Sequence, residues 1–398
     1  MMANNMKYNF DKIVDRRGTS CLKYDYGMQR KGRTDLLPLW VADMDFPLPE
    51  EILAEFHKRI DHGIFGYTDP DQEYYDAVDR WFSVRHGYHV KPEWITLGCG
   101  IVYALATSVK AFSEPGDSIM VQQPVYYPFS EVVKDNGRKL VNCQLHYDGA
   151  YSIDFSDFEQ KIVENNVKVF ILCNPHNPVG RVWTREELEN IAEICLKHHV
   201  LIMSDEIHCD FVFAPNKFTS FAAMDEKYLN NVVVYTSPGK TFNVAGFQPA
   251  NVIIPNEELR NQYRKANSQS GYSNGSVMGQ VAVKAVYTLG DQWVDELVEY
   301  IHGNVKYMSE FVKEHFPKAH MVQPEGTYLT WVDFSGYGFT DEELEHIMVE
   351  EAKLWLDCGK IFGPATAQFE RFNVACPRAI VEQALTQLKE AIDHHQKW

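Results

Sequence analysis

Short apolar runs alternate with longer amphipathic stretches between about residues 93 and 255. The runs at 167–173 and 231–235 are rich in β-branched residues and almost uninterrupted, which is typical of strands buried on both faces. Between them, residues 184–199 show apolar positions at helical spacing, and the segment Thr184-Arg185-Glu186-Glu187 is a capping box that predicts the helix start. A further apolar run follows at 201–203. This strand–helix–strand repetition predicts an α/β domain with a mostly parallel sheet.

The pattern changes after about residue 285. It predicts a long helix over 291–316, strands over 328–334 and 371–376, and a helix over 340–355 that opens with a second capping box, Thr340 to Glu343. These elements indicate a smaller α+β domain. The first 45 or so residues lack a strand–helix pattern of their own and are assigned to it. We therefore expect a large domain at 48–285 and a small domain made of 1–47 and 286–398.

Charge and composition limit the partners. The 398 residues include 38 Lys and Arg against 55 Asp and Glu, a formal net charge of −17. An acidic surface repels nucleic acid and anionic lipid, although a local basic pocket for a small anion remains compatible with it. No apolar run approaches the roughly 18 residues of a membrane span, and residues 1–10 lack the apolar core of a signal peptide, so we expect a cytoplasmic protein. The eight cysteines are scattered without metal-binding spacing, which predicts buried free thiols and no metal.

Polar residues gather after the predicted strands. In open parallel α/β sheets, ligands bind beyond the carboxyl ends of the strands. Four loops in such positions carry unusual polar residues, and they span 98–102, 174–180, 204–208 and 236–246.

Glycine and proline define the first two loops. Gly98 and Gly100 open a helix predicted to reach about residue 112, and glycines at a helix start let backbone N–H groups approach a phosphate. Tyr103 stands where a GxGxxG dinucleotide motif needs its third glycine, so that motif is absent. The loop 174–180 holds two prolines, a glycine and two asparagines, whose amides can make directed hydrogen bonds. The structural alternatives are a tight strand–helix turn for the first loop and an Asx turn for the second.

Charged residues mark the other two loops. Asp205 directly follows a predicted buried strand, where a carboxylate without a positive partner is costly. Lys240 lies among small and apolar residues, and a lysine in a partly apolar pocket can form a Schiff base with a carbonyl. The alternatives are a structural ion pair or a helix cap for Asp205, and a solvated charge for Lys240. Together the four loops supply the set that pyridoxal 5'-phosphate (PLP) requires, with Tyr126 placed to cover its ring.

The order of these motifs along the chain resembles the order found in fold-type I PLP enzymes of the class I/II aminotransferase family. The resemblance covers essentially the whole chain and is carried by Gly66-Tyr67, the turn at Gly98, Tyr126, Asn177-Pro178-Val179-Gly180, Asp205, Ser237-Pro238-Gly239-Lys240 and Arg371. Within the family, the chain looks most like the cystathionine β-lyase, or C–S lyase, branch, through residues 39–46, 205–208, 240–243 and 376–378. The resemblance implies a three-layer large domain with a mostly parallel sheet, a smaller α+β domain and a homodimer.

The resemblance also implies a role for each matched residue. Lys240 would form the Schiff base and act as general base, and Asp205 would pair with the pyridinium nitrogen. Arg371 would hold the α-carboxylate of an amino-acid substrate in a two-point pair, beside Asn177 and Ala42. The implied cofactor-binding residues are Gly100, Ile101, Val102, Tyr126, Asn177, Asp205, His208, Ser237 and Lys240, joined by Tyr67 from a second subunit.

Two positions depart from the general aminotransferase pattern. His208 stands where a tyrosine is common, and Gln248 stands where an arginine commonly adds a charged phosphate contact. Both departures are compatible with the lyase branch. We therefore expect α,β-elimination on an L-amino acid that bears a β-thioether, such as L-cystathionine, to give a thiol, pyruvate and ammonia. A transaminase, which shares the steps up to the Cα carbanion, is the alternative.

Two hypotheses come from other classes of protein. The segment 271–275 matches the GxSxG pattern of hydrolases, but a nucleophile elbow needs a buried strand before it and residues 263–270 are polar. We interpret this match as accidental and the segment as a loop that is flexible or adjacent to the cofactor. A non-catalytic regulatory protein on the same fold is opposed by the intact Lys240 and Arg371, and contacts with other proteins stay open.

Overall fold

A seven-stranded sheet organises the larger part of the molecule in this computed structural model, which describes residues 6–272 and 275–395. Its strands in spatial order are Ile95–Cys99, Pro249–Ile253, Val232–Thr236, Leu201–Asp205, Val167–Cys173, Ser118–Val121 and Lys139–Asn142. Pro249–Ile253 is antiparallel to both neighbours, and the remaining pairs are parallel. Two reversals leave Ile95–Cys99 pointing the same way as the parallel strands. The carboxyl ends of six strands therefore meet at one edge.

Both faces of this sheet are buried. Successive side chains of a strand point to opposite faces, and in Val232–Thr236 they enter two separate apolar clusters. Val232 and Val234 belong to one cluster, whereas Val233 and Tyr235 belong to the other. This arrangement confirms the predicted three-layer α/β architecture with a mostly parallel sheet.

Helices cover the two faces and begin where the sequence signals them. Thr184 accepts a hydrogen bond from the Glu187 N–H and donates its own N–H to the Glu187 carboxylate, which confirms the capping box before Arg185–Lys197. The α-helices up to residue 290 are Leu22–Asp25, Gly27–Lys31, Glu50–His62, Gln72–His86, Ile101–Phe112, Pro128–Asp135, Phe155–Asn165, Arg185–Lys197, Glu226–Leu229, Pro238–Thr241, Glu257–Gln269 and Val277–Leu289.

A four-stranded antiparallel sheet forms a second layer of structure after residue 290. Its strands in spatial order are His320–Val322, Leu329–Asp333, Phe369–Asn373 and Asp357–Cys358. The helices Asp291–His315, Asp341–His346 and Arg378–His395 accompany it. Early residues pack on the same part of the chain, because Leu37–Pro38 pairs in parallel with Leu354–Trp355 and Phe10 contacts Trp293. A short hairpin, His146–Tyr147 with Tyr151–Ser152, completes the strands. The domain boundaries given above stay a prediction.

Two predicted elements need correction. The helix predicted over 340–355 is wrong in its last part, since Asp341–His346 continues as a π-helical turn, Ile347–Glu351, and then as the strand Leu354–Trp355. That strand forms because it pairs with residues more than 300 positions earlier, a contact that local periodicity does not contain. The strand predicted over 371–376 runs from Phe369 to Asn373. Its charged residues Glu370 and Arg371 are buried, which obscures the apolar pattern.

Three further expectations concern the cysteines, membrane-spanning helices and the GxSxG match. All eight cysteines are free thiols, as predicted, but the prediction that they are buried is wrong for Cys99, which is exposed, and for Cys21 and Cys358, which are half-buried. Within 6–272 and 275–395, no helix combines the length and the apolar character needed to cross a membrane. Of the GxSxG match, Ser273 and Asn274 lie outside the described residues, and the helix Glu257–Gln269 stands where a nucleophile elbow needs a strand.

Candidate active site

A cavity of about 190 Å³ lies at the sheet edge where the six carboxyl ends meet. All four loops singled out in the sequence reach it. Of the predicted site residues it is lined by Ala42, Gly100, Ile101, Val102, Tyr126, Asn177, Asp205, His208, Ser237 and Lys240. The predicted set is therefore brought together, apart from Arg371 and Tyr67.

Lys240 projects from a one-turn helix, Pro238–Thr241, that follows a buried strand. Ser237 caps this turn by accepting a hydrogen bond from the Gly239 N–H, 2.9 Å, and donates its hydroxyl to the Pro249 carbonyl oxygen, 2.6 Å. The Lys240 amine donates to the Ala42 carbonyl oxygen, 2.6 Å. Burial lowers the pKa of Lys240 from 10.5 to about 8, although Asp43 and Asp205 oppose the shift. A large part of this amine is therefore neutral near pH 8.

Asp205 is the last residue of its strand and is 4% exposed. Its carboxylate accepts one hydrogen bond within the described residues, from the Ile207 N–H at 3.1 Å. Burial raises the pKa of Asp205 from 3.8 to about 7, against the opposing effects of this hydrogen bond and Lys240. The site therefore holds a buried carboxyl group that lacks a strong cationic partner.

The glycine turn has the geometry of an anion-binding helix start. Gly100 has φ +80°, and a Cβ there would lie 2.3 Å from the Gln248 side-chain oxygen. The Gly100 N–H donates to the Gln248 carbonyl oxygen at 2.9 Å, and no side chain caps the following helix Ile101–Phe112. Its first N–H groups are thus available to a ligand. Gln248 packs on the turn where the family pattern has an arginine.

Tyr126, Asn177 and His208 supply neutral polar groups to the cavity. Burial raises the pKa of Tyr126 well above its ordinary value, so its phenol stays protonated. Burial lowers the pKa of His208 well below 6.5, and Lys240 and Arg371 act in the same direction. The imidazole is therefore neutral, and its Nδ1 atom has no hydrogen-bond partner within the part of the chain described. It packs edge-on against Tyr328, with 5.7 Å between the ring centroids.

Arg371 lies behind Asn177 rather than in the cavity wall. It is 2% exposed, and its Nη1 donates to the Asn177 Oδ1 atom at 3.0 Å. Its Nη2 donates to the Trp40 carbonyl oxygen at 2.7 Å and also to the Asp357 carboxylate. Asn177 therefore connects the cavity with the predicted carboxylate-binding arginine. Sequence reasoning missed Asp357, although a carboxylate directly after the apolar run 354–356 signals a buried charge that needs a cation.

The segment that carries Ala42 is held by side chains from distant parts of the chain. Asn243 bonds both the N–H and the carbonyl of Met44, at 2.9 and 2.7 Å. Asn373 donates to the carbonyl oxygens of Val41 and Asp43, each at 2.6 Å. These contacts fix the Ala42 carbonyl against Lys240. They were not predicted, because nothing in the local sequence pairs these asparagines with this segment.

Tyr67, like Arg371, does not line the cavity. Its side chain is fully exposed on the loop after Glu50–His62. The cavity is lined in addition by residues that the sequence did not single out as ligands, namely Tyr103, Cys173, Ile207, Gly239, Ala245, Gln248 and Pro249.

Comparison with known proteins places the chain in a family. Residues 34–388 match the family model of Aminotransferase class I and II. The chain is 44% identical to Cystathionine beta-lyase PatB of Bacillus subtilis (strain 168), covering 96% of this chain and 100% of that protein. Cystalysin from Treponema denticola, which contains a pyridoxal 5'-phosphate cofactor, superposes with a TM-score of 0.94 at 34% identity, covering 98% of this chain and 100% of that one. The PLP-bound C-S lyase from Staphylococcus hominis gives a TM-score of 0.89 at 32% identity, covering 98% of each chain. The chain therefore belongs to the aminotransferase class I and II family.

Proposed function

We propose that the protein is a PLP-dependent C–S lyase that converts L-cystathionine or a related S-substituted L-cysteine to a thiol, pyruvate and ammonia. The observation that carries the proposal is the presence of Lys240, with its lowered pKa of about 8, and the buried Asp205 in one cavity. The similarity to proteins named cystathionine beta-lyase and C-S lyase favours elimination as the reaction.

The residues around the cavity fit PLP. A protonated ring nitrogen would supply the cation that Asp205 lacks, and the open helix start at Gly100, Ile101 and Val102 would bind the phosphate with Ser237. Asn177 would bond the phenolic oxygen, while Tyr126 would cover the ring and the neutral His208 would contact it. When bound, PLP supplies the electron sink for the carbanion formed at the substrate Cα.

The chain itself binds the substrate and moves the proton. Arg371 and Asn177 would hold the α-carboxylate, which orients the amino acid in the cavity. The Lys240 amine then takes the Cα proton onto Nζ, for which a pKa near the working pH is favourable. The Ala42 carbonyl oxygen, already 2.6 Å from Nζ, is positioned to accept a hydrogen bond from the resulting ammonium. The thiolate leaves Cβ, and hydrolysis of the remaining three-carbon fragment releases pyruvate and ammonia.

We also propose a homodimer in which Tyr67 completes the phosphate site of the partner protomer. The loop after Glu50–His62 supports this, because its large apolar side chains face solvent in one protomer. The exposed fractions are 66% for Ile64, 53% for Phe65 and 103% for Tyr67. Exposed apolar patches of this kind mark interaction sites.

The proposal is tested by incubating the PLP-loaded protein with L-cystathionine. Elimination at the cysteine half consumes one water and releases homocysteine, pyruvate and ammonia in equal amounts. Absence of the thiol and of pyruvate, with every S-substituted cysteine tried, contradicts the proposal. A transaminase would use the same residues up to the proton removal, and it would release neither the thiol nor stoichiometric ammonia.

A further inference from the structure

The Arg371 guanidinium has no pair of adjacent N–H groups left for a substrate carboxylate. A guanidinium has five N–H donors, and a two-point bond to a carboxylate uses either one hydrogen on each Nη atom or one on Nη2 and one on Nε. Both arrangements therefore need an Nη2 hydrogen. In the structure Nη2 already donates to the Trp40 carbonyl oxygen and to Asp357, whereas Nε has no hydrogen-bond partner in the described part of the chain.

One of the two Nη2 acceptors must therefore move when a carboxylate binds in two-point fashion. The Trp40 carbonyl is fixed in the backbone, since the Leu39 N–H bonds the Trp355 carbonyl oxygen at 2.9 Å and the Trp40 ring stacks on Trp355 at 4.3 Å. Asp357 is a side chain, and its carboxylate makes no other hydrogen bond to the described residues. Asp357 is thus the acceptor that can leave.

We propose that Asp357 occupies the substrate-carboxylate position on Arg371 in the unliganded protein, and gives it up by taking a proton from solvent when the substrate binds. The inference rests on the proposed function, because it assigns Arg371 to the substrate α-carboxylate. It makes Asp357 an internal competitor of the substrate, and it couples binding to the uptake of one proton.

The surroundings of Asp357 favour this exchange. Burial raises its pKa, and Arg371 and Lys31 oppose that shift. The other titratable groups that interact with it are Tyr126, Tyr127, Cys358 and Glu370, and burial raises the pKa of each, which favours their neutral forms. A substrate carboxylate on Arg371 cancels the main opposing charge and adds a negative one, so protonation of Asp357 becomes more favourable.

The probe is 3-(methylsulfanyl)propanoate, which carries the carboxylate and thioether of a substrate without the amine. Its dissociation constant is measured on PLP-loaded protein by calorimetry between pH 6 and 9. For wild type we expect affinity to fall as pH rises, by up to about tenfold per pH unit, because one proton is taken up on binding. Titrations in two buffers of different ionisation enthalpy give the proton uptake directly.

Asp357→Asn keeps the size of the side chain and one acceptor oxygen, but it removes the negative charge of the carboxylate. We expect it to bind the probe several-fold more tightly than wild type at pH 8, with a flatter pH dependence and less proton uptake. The matched control is Glu370→Gln, since Glu370 is a buried carboxyl next to Arg371, on the opposite face of the strand Phe369–Asn373. It should retain the wild-type pH dependence.

Weaker binding by Asp357→Asn at every pH would show that Asp357 only supports Arg371, and would overturn the proposal. Equal proton uptake by wild type and variant would overturn it as well. Asp357→Ser serves the same comparison when the asparagine variant does not accumulate as folded protein. The proposed function fails separately, when the wild type is given PLP, freed of unbound PLP by desalting, and retains no visible cofactor absorbance.

Discussion

The Lys240 amine donates a 2.6 Å hydrogen bond to the backbone carbonyl oxygen of Ala42, a residue 198 positions earlier in the chain. The Tyr328 hydroxyl donates to the same oxygen at 3.0 Å. The lysine from the large sheet therefore meets a segment that Asn373 of the second sheet holds in place. This contact gives the amine a defined position.

Lys240 should capture PLP as a neutral amine. Below its pKa of about 8 the neutral fraction rises about tenfold per pH unit, and above it the fraction levels off. The rate at which cofactor-free protein gains visible cofactor absorbance should follow the same curve. A rate that does not change between pH 6 and 9 would contradict this assignment. Lys240→Ala should gain no such absorbance, whereas the exposed-site control Lys197→Ala should behave as wild type.

Asp205→Asn should stabilise the cofactor-free protein while it removes activity. The pKa of Asp205 is about 7 in the folded protein and 3.8 as the ordinary value, which we take for the unfolded chain. Between these pH values the folded protein therefore binds more protons than the unfolded chain. Stability therefore falls as pH rises from about 4 to 7, and the full penalty, about 4 kcal/mol, applies above pH 7. Urea unfolding at pH 8 should show a higher stability for Asp205→Asn. A lower stability for this variant at pH 8 would be the opposite of our expectation.

The sequence predicted the large sheet well because its signals are local. The run 167–173 matches the strand Val167–Cys173 at both ends, and the capping box at Thr184 marks a helix start correctly. Each depends on neighbours within a few residues. The same reasoning failed at Leu354–Trp355, whose conformation is set by pairing with Leu37–Pro38.

The site was predictable for similar reasons and to a similar extent. Asp205 and Lys240 follow strands of one parallel sheet, so the fold class alone places them at one edge. Asn243 could not be assigned in this way, because its partner Met44 lies 199 positions earlier in the chain. Asp357 was missed although Arg371 lies only 14 positions later, because their contact depends on the pairing of two short antiparallel strands. Tyr67, the domain boundaries and the cytoplasmic location stay predictions.

Shared active sites should allow two inactive variants to complement each other. Tyr67→Ala retains Lys240, and Lys240→Ala retains Tyr67, so a mixed dimer would contain one site with both residues. Co-expressed and co-purified variants should therefore recover a fraction of wild-type activity that neither shows alone. No recovery in a demonstrated mixed dimer, or full activity in a monomer by sedimentation, would refute the partner role of Tyr67.

Arg371→Lys should bind every amino-acid substrate poorly. An ammonium group cannot reproduce the planar two-point fork, and the α-carboxylate is left imperfectly paired in a buried site. We expect a loss in kcat/KM equivalent to about 2–5 kcal/mol, by analogy with broken buried charge pairs. Steady-state kinetics measures it, with Arg33→Lys as a control at an ion pair with Asp35. A loss below tenfold for Arg371→Lys would exclude a two-point carboxylate contact there.

The most direct test of the proposed function is the fate of the substrate in two parallel incubations of the PLP-loaded protein. One contains L-cystathionine alone, and the other contains an L-amino acid with 2-oxoglutarate. A C–S lyase releases pyruvate, ammonia and free thiol in the first and forms little glutamate in the second. Rapid glutamate formation in the second, with no thiol released in the first, would contradict the lyase and establish a transaminase.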